Sequence, residues 1–400
     1  MVVPYLPQDI IEHIIDMLVG DFHSLLSCSL VSTAWADRSH HHLYAEISLN
    51  SLSDLQSWFN IGLEPFGHHV RSIHLTQDEF KWITPQTLAT IPSDFTSFHN
   101  VRSLTFTGLD LTIFDEHSLT RFFAPFSKCL TSLSLEGLTA HPHMLHFFIC
   151  MFPNLDNLTL DYLAIGRANP TIPFQHPAIT PSFRGKLVLS NLLSNGTSTA
   201  STVTAPIANL PLAFEDVTVY NCRFRKPESL KDLLVACHET LKKIKIARVF
   251  FDSTSKPPLI DLSPCTSLEE IQLSLGQLRQ PSPWLEPILQ TVTSTKVRKI
   301  TFDTDTPSTA AGIDSEIDVH SWSRLDALFL KMADALGPTD GKLELVFDAL
   351  APDDFGEFKP VDPGRFLEWC RTKAVVRFEP IRSPHLRIAC HTSTEITRRP

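Results

Sequence analysis

The sequence predicts an α/β chain in which a short three-helix element is followed by a solenoid, with a curved parallel sheet inside and helices outside. Three observations carry this. The pattern apolar-x-x-apolar-x-apolar recurs between residues 70 and 302, its starts separated by 31, 29, 25, 59, 27, 27 and 29 residues. Between the copies lie stretches whose apolar residues have helical spacing. Ahead of them, residues 6–44 hold more apolar side chains than so short a segment can bury alone.

At the N-terminus the apolar residues Ile10, Ile11, Ile14, Ile15 and Leu18 fall within an arc of roughly 140° at about 100° per residue, one broad stripe on a helix. Pro7 suits the first turn, where its missing N–H is no loss, and Asp9 lies where the helix dipole favours a carboxylate. Gly20 ends this helix. Asp21 is placed to cap a second segment, Phe22 to Trp35, with Leu25, Leu26, Leu30, Val31 and Trp35 as its apolar residues. A third short piece carries Leu43 and Tyr44. Burying all twelve apolar side chains is worth on the order of 20 kcal/mol, and three short helices cannot cover them all. Either the rest of the chain or a partner protein covers the remainder.

The order of these residues resembles the F-box motif: Leu6-Pro7-x-Asp9-Ile10-Ile11-x-x-Ile14-Ile15-x-x-Leu18, then Leu25-Leu26-x-Cys28-x-Leu30-Val31-Ser32-x-x-Trp35. The resemblance covers about residues 4–47. It departs from the usual pattern after Val-Ser, where Thr33-Ala34 replaces a Cys or Arg. It implies a three-helix element, residues 1–47, that docks the Skp-type adaptor of a cullin-based ubiquitin ligase. The adaptor contacts it implies are Leu6, Pro7, Ile10, Ile11, Ile14, Ile15, Leu18, Leu25, Leu26, Leu30 and Val31. Of these Leu6, Pro7, Ile10, Ile11 and Ile14 are expected outermost, with Trp35, Leu43 and Tyr44 packing toward the first repeat.

The repeat copies are Val70-Ile73-Leu75, Val101-Leu104-Phe106, Leu130-Leu133-Leu135, Leu155-Leu158-Leu160, Phe214-Val217-Val219, Leu241-Ile244-Ile246, Leu268-Ile271-Leu273 and Val297-Ile300-Phe302, with a weaker copy at Leu187-Leu189. Alternation of the last two apolar positions fits a strand buried on one face. Helices fit Pro142-Leu145-Phe148-Ile149, Pro227-Leu230-Leu233-Leu234 and Trp284-Leu285-Ile288-Leu289. This strand-then-helix unit resembles an irregular leucine-rich repeat. Only Cys222 supplies that family's Cys or Asn at the ninth position; Leu109, Leu138, Leu163 and Val249 stand elsewhere, so its side-chain ladder is mostly missing. Unrelated strands in an α/β domain are the alternative.

The repeat array is expected over residues 48–320, with the last repeat and a cap over 321–400. The Ser/Thr-rich stretch 190–206 reads as a loop, as do 252–258 and 303–316. Toward the end, a helix from Trp322 to Leu336 precedes strand-like Leu343-Leu345-Phe347. A helix around Phe366 to Trp369 and a strand near Val375 to Phe378 complete the expected cap.

Residues 3, 5 and 7 of each copy should face the concave side, where solenoids bind proteins. The target contacts expected there are Thr105, Ser134, Thr159, Thr218, Tyr220, Lys243 and Lys245. The basic cluster Lys242-Lys243-Lys245-Arg248 reads first as a solvated strand face, with a place on this concave surface as the alternative.

A net charge of −10 argues against nucleic acid as a partner, since phosphate binding needs concentrated Lys and Arg. No apolar run reaches the roughly 18 residues a membrane span needs. No basic region followed by a cleavable apolar segment opens the chain, and the eight cysteines are scattered with no C-x-x-C pair. The expected location is therefore intracellular, cytoplasmic and/or nuclear.

There is no phosphate-cradling glycine loop, G-x-S-x-G elbow or H-E-x-x-H helix. Neither His40-His41-His42 nor the group His141, His143 and His146 has the companions of a metal site. No catalytic residue, cofactor or metal ligand is expected. The leading expectation is a substrate-recognition subunit of a Skp–cullin–F-box ligase holding an unidentified target protein. The alternative is a leucine-rich-repeat scaffold unrelated to ubiquitin, capped by its N-terminal helices.

Overall fold

The computed structural model describes residues 7–60, 64–77, 82–90, 98–166, 183–192, 200–208, 210, 212–225, 227–251, 260–277, 280–281, 284–305, 319–335, 343–350 and 386–392. The chain forms two compact units, Met1–Phe183 and Arg184–Pro400. Both are α/β, built from parallel strands alternating with helices in a solenoid-like repeat.

The first unit opens with helices α1 (Gln8–Asp16), α2 (Phe22–Ser29) and α3 (Thr33–Leu43). Pro7 sits at the N-cap of α1, and its carbonyl accepts the amides of Ile10 and Ile11 at 3.1 and 3.2 Å. Gly20, at φ +94, makes the turn into α2 in a backbone region that costs other residues about 1–2 kcal/mol. Asp21 then caps α2 by accepting the Ser24 amide at 3.1 Å and the Ser24 hydroxyl at 2.6 Å. Ile11, Ile15 and Leu25 form a small core, with Leu18, Trp35 and Leu43 packed against it. Asp16 ties α1 to α3, accepting from Arg38 Nε at 2.6 Å and Arg38 Nη2 at 2.7 Å, with His42 Nε2 also 2.7 Å away.

Then follow β1 (Glu46–Leu49), α4 (Leu52–Asn60), β2 (Ser72–Thr76), α5 (Pro85–Thr90), β3 (Ser103–Thr107), α6 (Glu116–Phe123), β4 (Ser132–Glu136), β5 (Thr139–Ala140), α7 (Pro142–Cys150), β6 (Asn157–Asp161) and β7 (Ala164–Ile165). Strands β1, β2, β3, β4 and β6 pair in parallel in that order, and the short β5 and β7 pair beside them in a second ladder. The alternating apolar residues of each strand face the helices. Phe106 of β3 meets Phe123 of α6 and Phe148 of α7 edge-on, at ring separations of 5.5 and 5.8 Å.

The second unit contains β8 (Phe183–Ser190), α8 (Ala200–Ala208), β9 (Leu212–Tyr220), β10 (Arg223–Phe224), α9 (Pro227–Ala236), β11 (Lys243–Ala247), β12 (Phe250–Phe251), β13 (Glu270–Gln277), β14 (Gln280–Pro281), α10 (Leu285–Gln290), β15 (Lys299–Asp305), α11 (Val319–Ala335), β16 (Leu343–Leu350) and β17 (Leu386–Thr392). Strands β9, β11, β13, β15, β16 and β17 pair in parallel in that order, β8 lies beside β9, and β14 turns back antiparallel on β13. Phe302 of β15 packs on Phe329 of α11 at 5.7 Å.

One turn recurs in both units. The residue after each of six strands is left-handed: Gly108 (φ 79), Gly137 (φ 63), Tyr162 (φ 51), Asn191 (φ 52), Asn221 (φ 50) and Arg248 (φ 51). This turn aims the amide at the end of the next strand, as in Gly108 N to Glu136 O at 2.8 Å and Asn221 N to Ala247 O at 3.0 Å. The following residue then points inward, and Leu109, Leu138, Leu163, Leu192 and Cys222 are all buried. Cys222 Sγ lies 3.4 Å from the Leu189 carbonyl and 3.2 Å from that of Tyr220; the leucines fill the same place by packing alone.

Three features differ from the sequence expectation. The ladder begins at β1, because Tyr44-x-x-Ile47-x-Leu49 is a further copy of the repeat directly behind α3. Within 190–206, read as a loop, residues 200–206 belong to α8, which buries Ala200, Val203, Thr204 and Ile207 at helical spacing. Strand β17 was not anticipated, and the expected elements at 366–369 and 375–378 lie outside the described residues.

Candidate functional site

Two surfaces stand out. On the N-terminal helices and the turn after α2, Ile10 (43%), Ile14 (38%), Leu26 (42%), Leu30 (82%) and Val31 (63%) are exposed, as are Met17, Val19 and Phe22. A cluster of exposed large apolar side chains this dense marks an interaction site more often than bare surface.

The structure divides the expected adaptor contacts. Ile11, Ile15 and Leu25, expected from the sequence among the adaptor contacts, are buried in the core of the trio. Leu18 is partly buried against that core. Pro7, Ile10, Ile14, Leu26, Leu30 and Val31 remain outside, and Leu6 lies outside the described residues. Trp35 and Leu43 also turn into the trio rather than toward the first repeat. Tyr44 does face that way, stacked on Phe66 at 4.8 Å and edge-on to Trp58 at 6.0 Å.

The second surface is the sheet face opposite the helices. In the first unit, register places Ser48, His74, Thr105, Ser134 and Thr159 in one row. Thr105 is nearly closed off, at 8% exposure, so of the expected target contacts in this unit Ser134 and Thr159 are the accessible ones.

In the second unit the corresponding face carries charge. Asp216, Lys243, Glu270, Lys299, Glu344 and Arg387 stand side by side on six neighbouring strands, alternating in sign. Lys186 extends the series, 3.7 Å from Asp216, and Lys243 lies 3.0 Å from Glu270. The Glu270 hydrogen bond raises the Lys243 pKa and holds it charged. One position earlier Lys242 pairs with Glu215 at 2.7 Å. Lys245 lies 3.2 Å from the buried Asp303, whose other oxygen accepts from Gln272 at 2.5 Å. Arg248 donates to the Tyr220 hydroxyl at 3.1 Å, its guanidinium 5.7 Å from that ring. Lys243 and Lys245 are thus matched by carboxylates, and the basic cluster seen in the sequence is no open cationic patch.

Burial pushes the thiols of Cys150 and Cys237 up to about 12 and that of Cys265 up to about 11, which leaves them protonated at neutral pH and poorly nucleophilic. No helix among the described residues is long and apolar enough to cross a membrane.

No protein-family model matches the chain, and no curated protein matches it. Among the solved structures that match is the crystal structure of the Rad7 and Elc1 complex in yeast, at 12% identity and a TM-score of 0.36, covering 86% of this chain and 84% of that one.

Proposed function

We propose that this chain is the target-recognition subunit of a cullin-based ubiquitin ligase. In this reading the N-terminal trio is an F-box that docks a Skp-type adaptor, and through it a cullin, while the repeat array is an irregular leucine-rich-repeat surface that holds a target protein. The chain positions that target and is no enzyme. It needs no cofactor, and it works in the cytoplasm and/or nucleus. The observation that carries the proposal is the exposure of Ile10, Ile14, Leu26, Leu30 and Val31, each worth about 1.5–3 kcal/mol if a partner buries it fully.

Co-expression with a Skp-type adaptor tests it. The wild-type chain should co-purify, and Ile10→Asp combined with Leu30→Asp, both on the exposed face, should reduce affinity at least about 100-fold, since several kcal/mol of apolar burial are lost. Failure of the wild type to bind, or equal binding by the variant, would sink the proposal.

The Tyr44–Phe66 stack and the His40–Phe66 edge contact at 4.7 Å favour a second reading, in which the trio is a cap on the array of a scaffold protein. Removing residues 1–43 separates the two. A cap predicts lower thermal stability or aggregation of the remainder, whereas a docking element predicts a folded remainder that has lost the adaptor.

A further inference from the structure

Asp37 on α3 is 31 residues from His68 in the sequence, a spacing that signals no metal motif, yet the fold brings them together. One ligand atom each from Asp37, His68 and His69 lie within 4.8 Å of one another. We propose that these three residues bind a zinc-class divalent cation, which clamps α3 to the turn before β2.

The donor set is two imidazoles and a carboxylate. Zinc takes such ligands at about 2.0–2.2 Å, commonly three from the protein with water in the fourth position. Tetrahedral geometry at those bond lengths puts donor atoms roughly 3.3 Å apart. His69 Nε2 and Asp37 Oδ1 are already 3.7 Å apart. The three atoms lie within 4.8 Å of one another, so the remaining contraction falls on the exposed Asp37 and His68 side chains, while His69 is held at 8%. His41 and His40 flank the His69 ring at 6.0 and 6.5 Å, and the His68 ring centre is 3.8 Å from it.

An ordinary ion pair explains the arrangement less well. At 3.7 Å the two atoms are beyond hydrogen-bond reach. A cation between them would use both groups, since zinc takes imidazole nitrogen and carboxylate oxygen alike.

The test uses the tag-free full-length chain stripped with EDTA. Zn2+ is titrated in competition with a chromophoric chelator, and Co2+ is added separately to read its visible d–d bands. The wild type should bind one equivalent of Zn2+, give tetrahedral Co2+ bands and melt at a higher temperature with the metal present. Asp37→Ala combined with His68→Ala alters exposed side chains, which leaves the fold intact by circular dichroism. It should weaken Zn2+ binding at least about 10–100-fold, the range for losing even an outer partner of a ligand. His141→Ala combined with His143→Ala, removing a stacked pair elsewhere, should change nothing. Absence of stoichiometric binding, unchanged affinity in the first variant, or loss of binding in the second instead would each overturn the proposal.

Discussion

Gly108 and Gly137 hold the same place in successive repeats but not the same room. A Cβ on Gly108 would lie 2.2 Å from the Gln77 carbonyl oxygen, whereas on Gly137 its nearest neighbour is 3.6 Å away. Gly137→Ala should therefore cost only the left-handed penalty, about 1–2 kcal/mol. Gly108→Ala adds forced backbone movement, about 1–3 kcal/mol more. Thermal denaturation of the two variants side by side checks the order; equal losses would mean that the backbone at Gln77 yields freely. Asp16 is a second point of leverage. The Arg38 hydrogen bonds, then that with His42, hold its carboxyl well below the usual carboxylate range. A group lowered in the folded state stabilises fully above its unfolded pKa, near 3.9, and loses that contribution as pH falls toward the folded value. Hydrogen exchange in α1 and α3, corrected for intrinsic rate, should thus quicken in acid for the wild type, while Asp16→Asn should be loosened already at neutral pH. Residue-level roles on α1 were half legible. With Ile10 at 0°, the others stand at about 40° (Ile14), 80° (Leu18), 100° (Ile11) and 140° (Ile15), and the structure buries the last two while exposing the first two. A stripe that wide has two edges, and periodicity cannot say which of them the neighbouring helices take.

At the scale of elements, the strands were readable because each has to bury alternate residues against helices, and Leu, Ile, Val and Phe stand at those positions. The misses have physical causes. Strand β1 was hidden because Leu43 and Tyr44 continue the helical pattern of α3 before Ile47 and Leu49 begin the strand alternation. Helix α8 was hidden by composition: its small polar residues suggested a loop, although Ala200, Val203 and Ile207 keep the 3-and-4 spacing that buries one face. Ile207→Ala should accordingly cost about 2–5 kcal/mol, as for other buried aliphatics. A change below about 0.5 kcal/mol in the midpoint-derived stability is what a surface position gives, and would mean that this helix does not pack.

Each unit has its own surface character at the scale of the whole molecule. In the first, the central row of the open face carries hydroxyls and His74; in the second, a row of alternating charge spans six strands. The sequence listed these residues but not their partners, because pairing depends on strand register across intervals of 27 to 45 residues. Lys243→Glu should place three carboxylates in a line, Asp216, position 243 and Glu270. Cross-strand charge pairs are worth about 0.2–1 kcal/mol each, so a loss of about 1–2 kcal/mol is expected, shrinking as salt is added. A loss unaffected by ionic strength would point to packing instead of charge.

That row also carries a parity. Excising the repeat that contributes Glu270 would bring Lys243 beside Lys299, and excising the one that contributes Lys299 would bring Glu270 beside Glu344. Removing two adjacent repeats restores opposite neighbours, since Lys243 then meets Glu344. Along this row the charge sequence thus counts in twos although the backbone counts in ones.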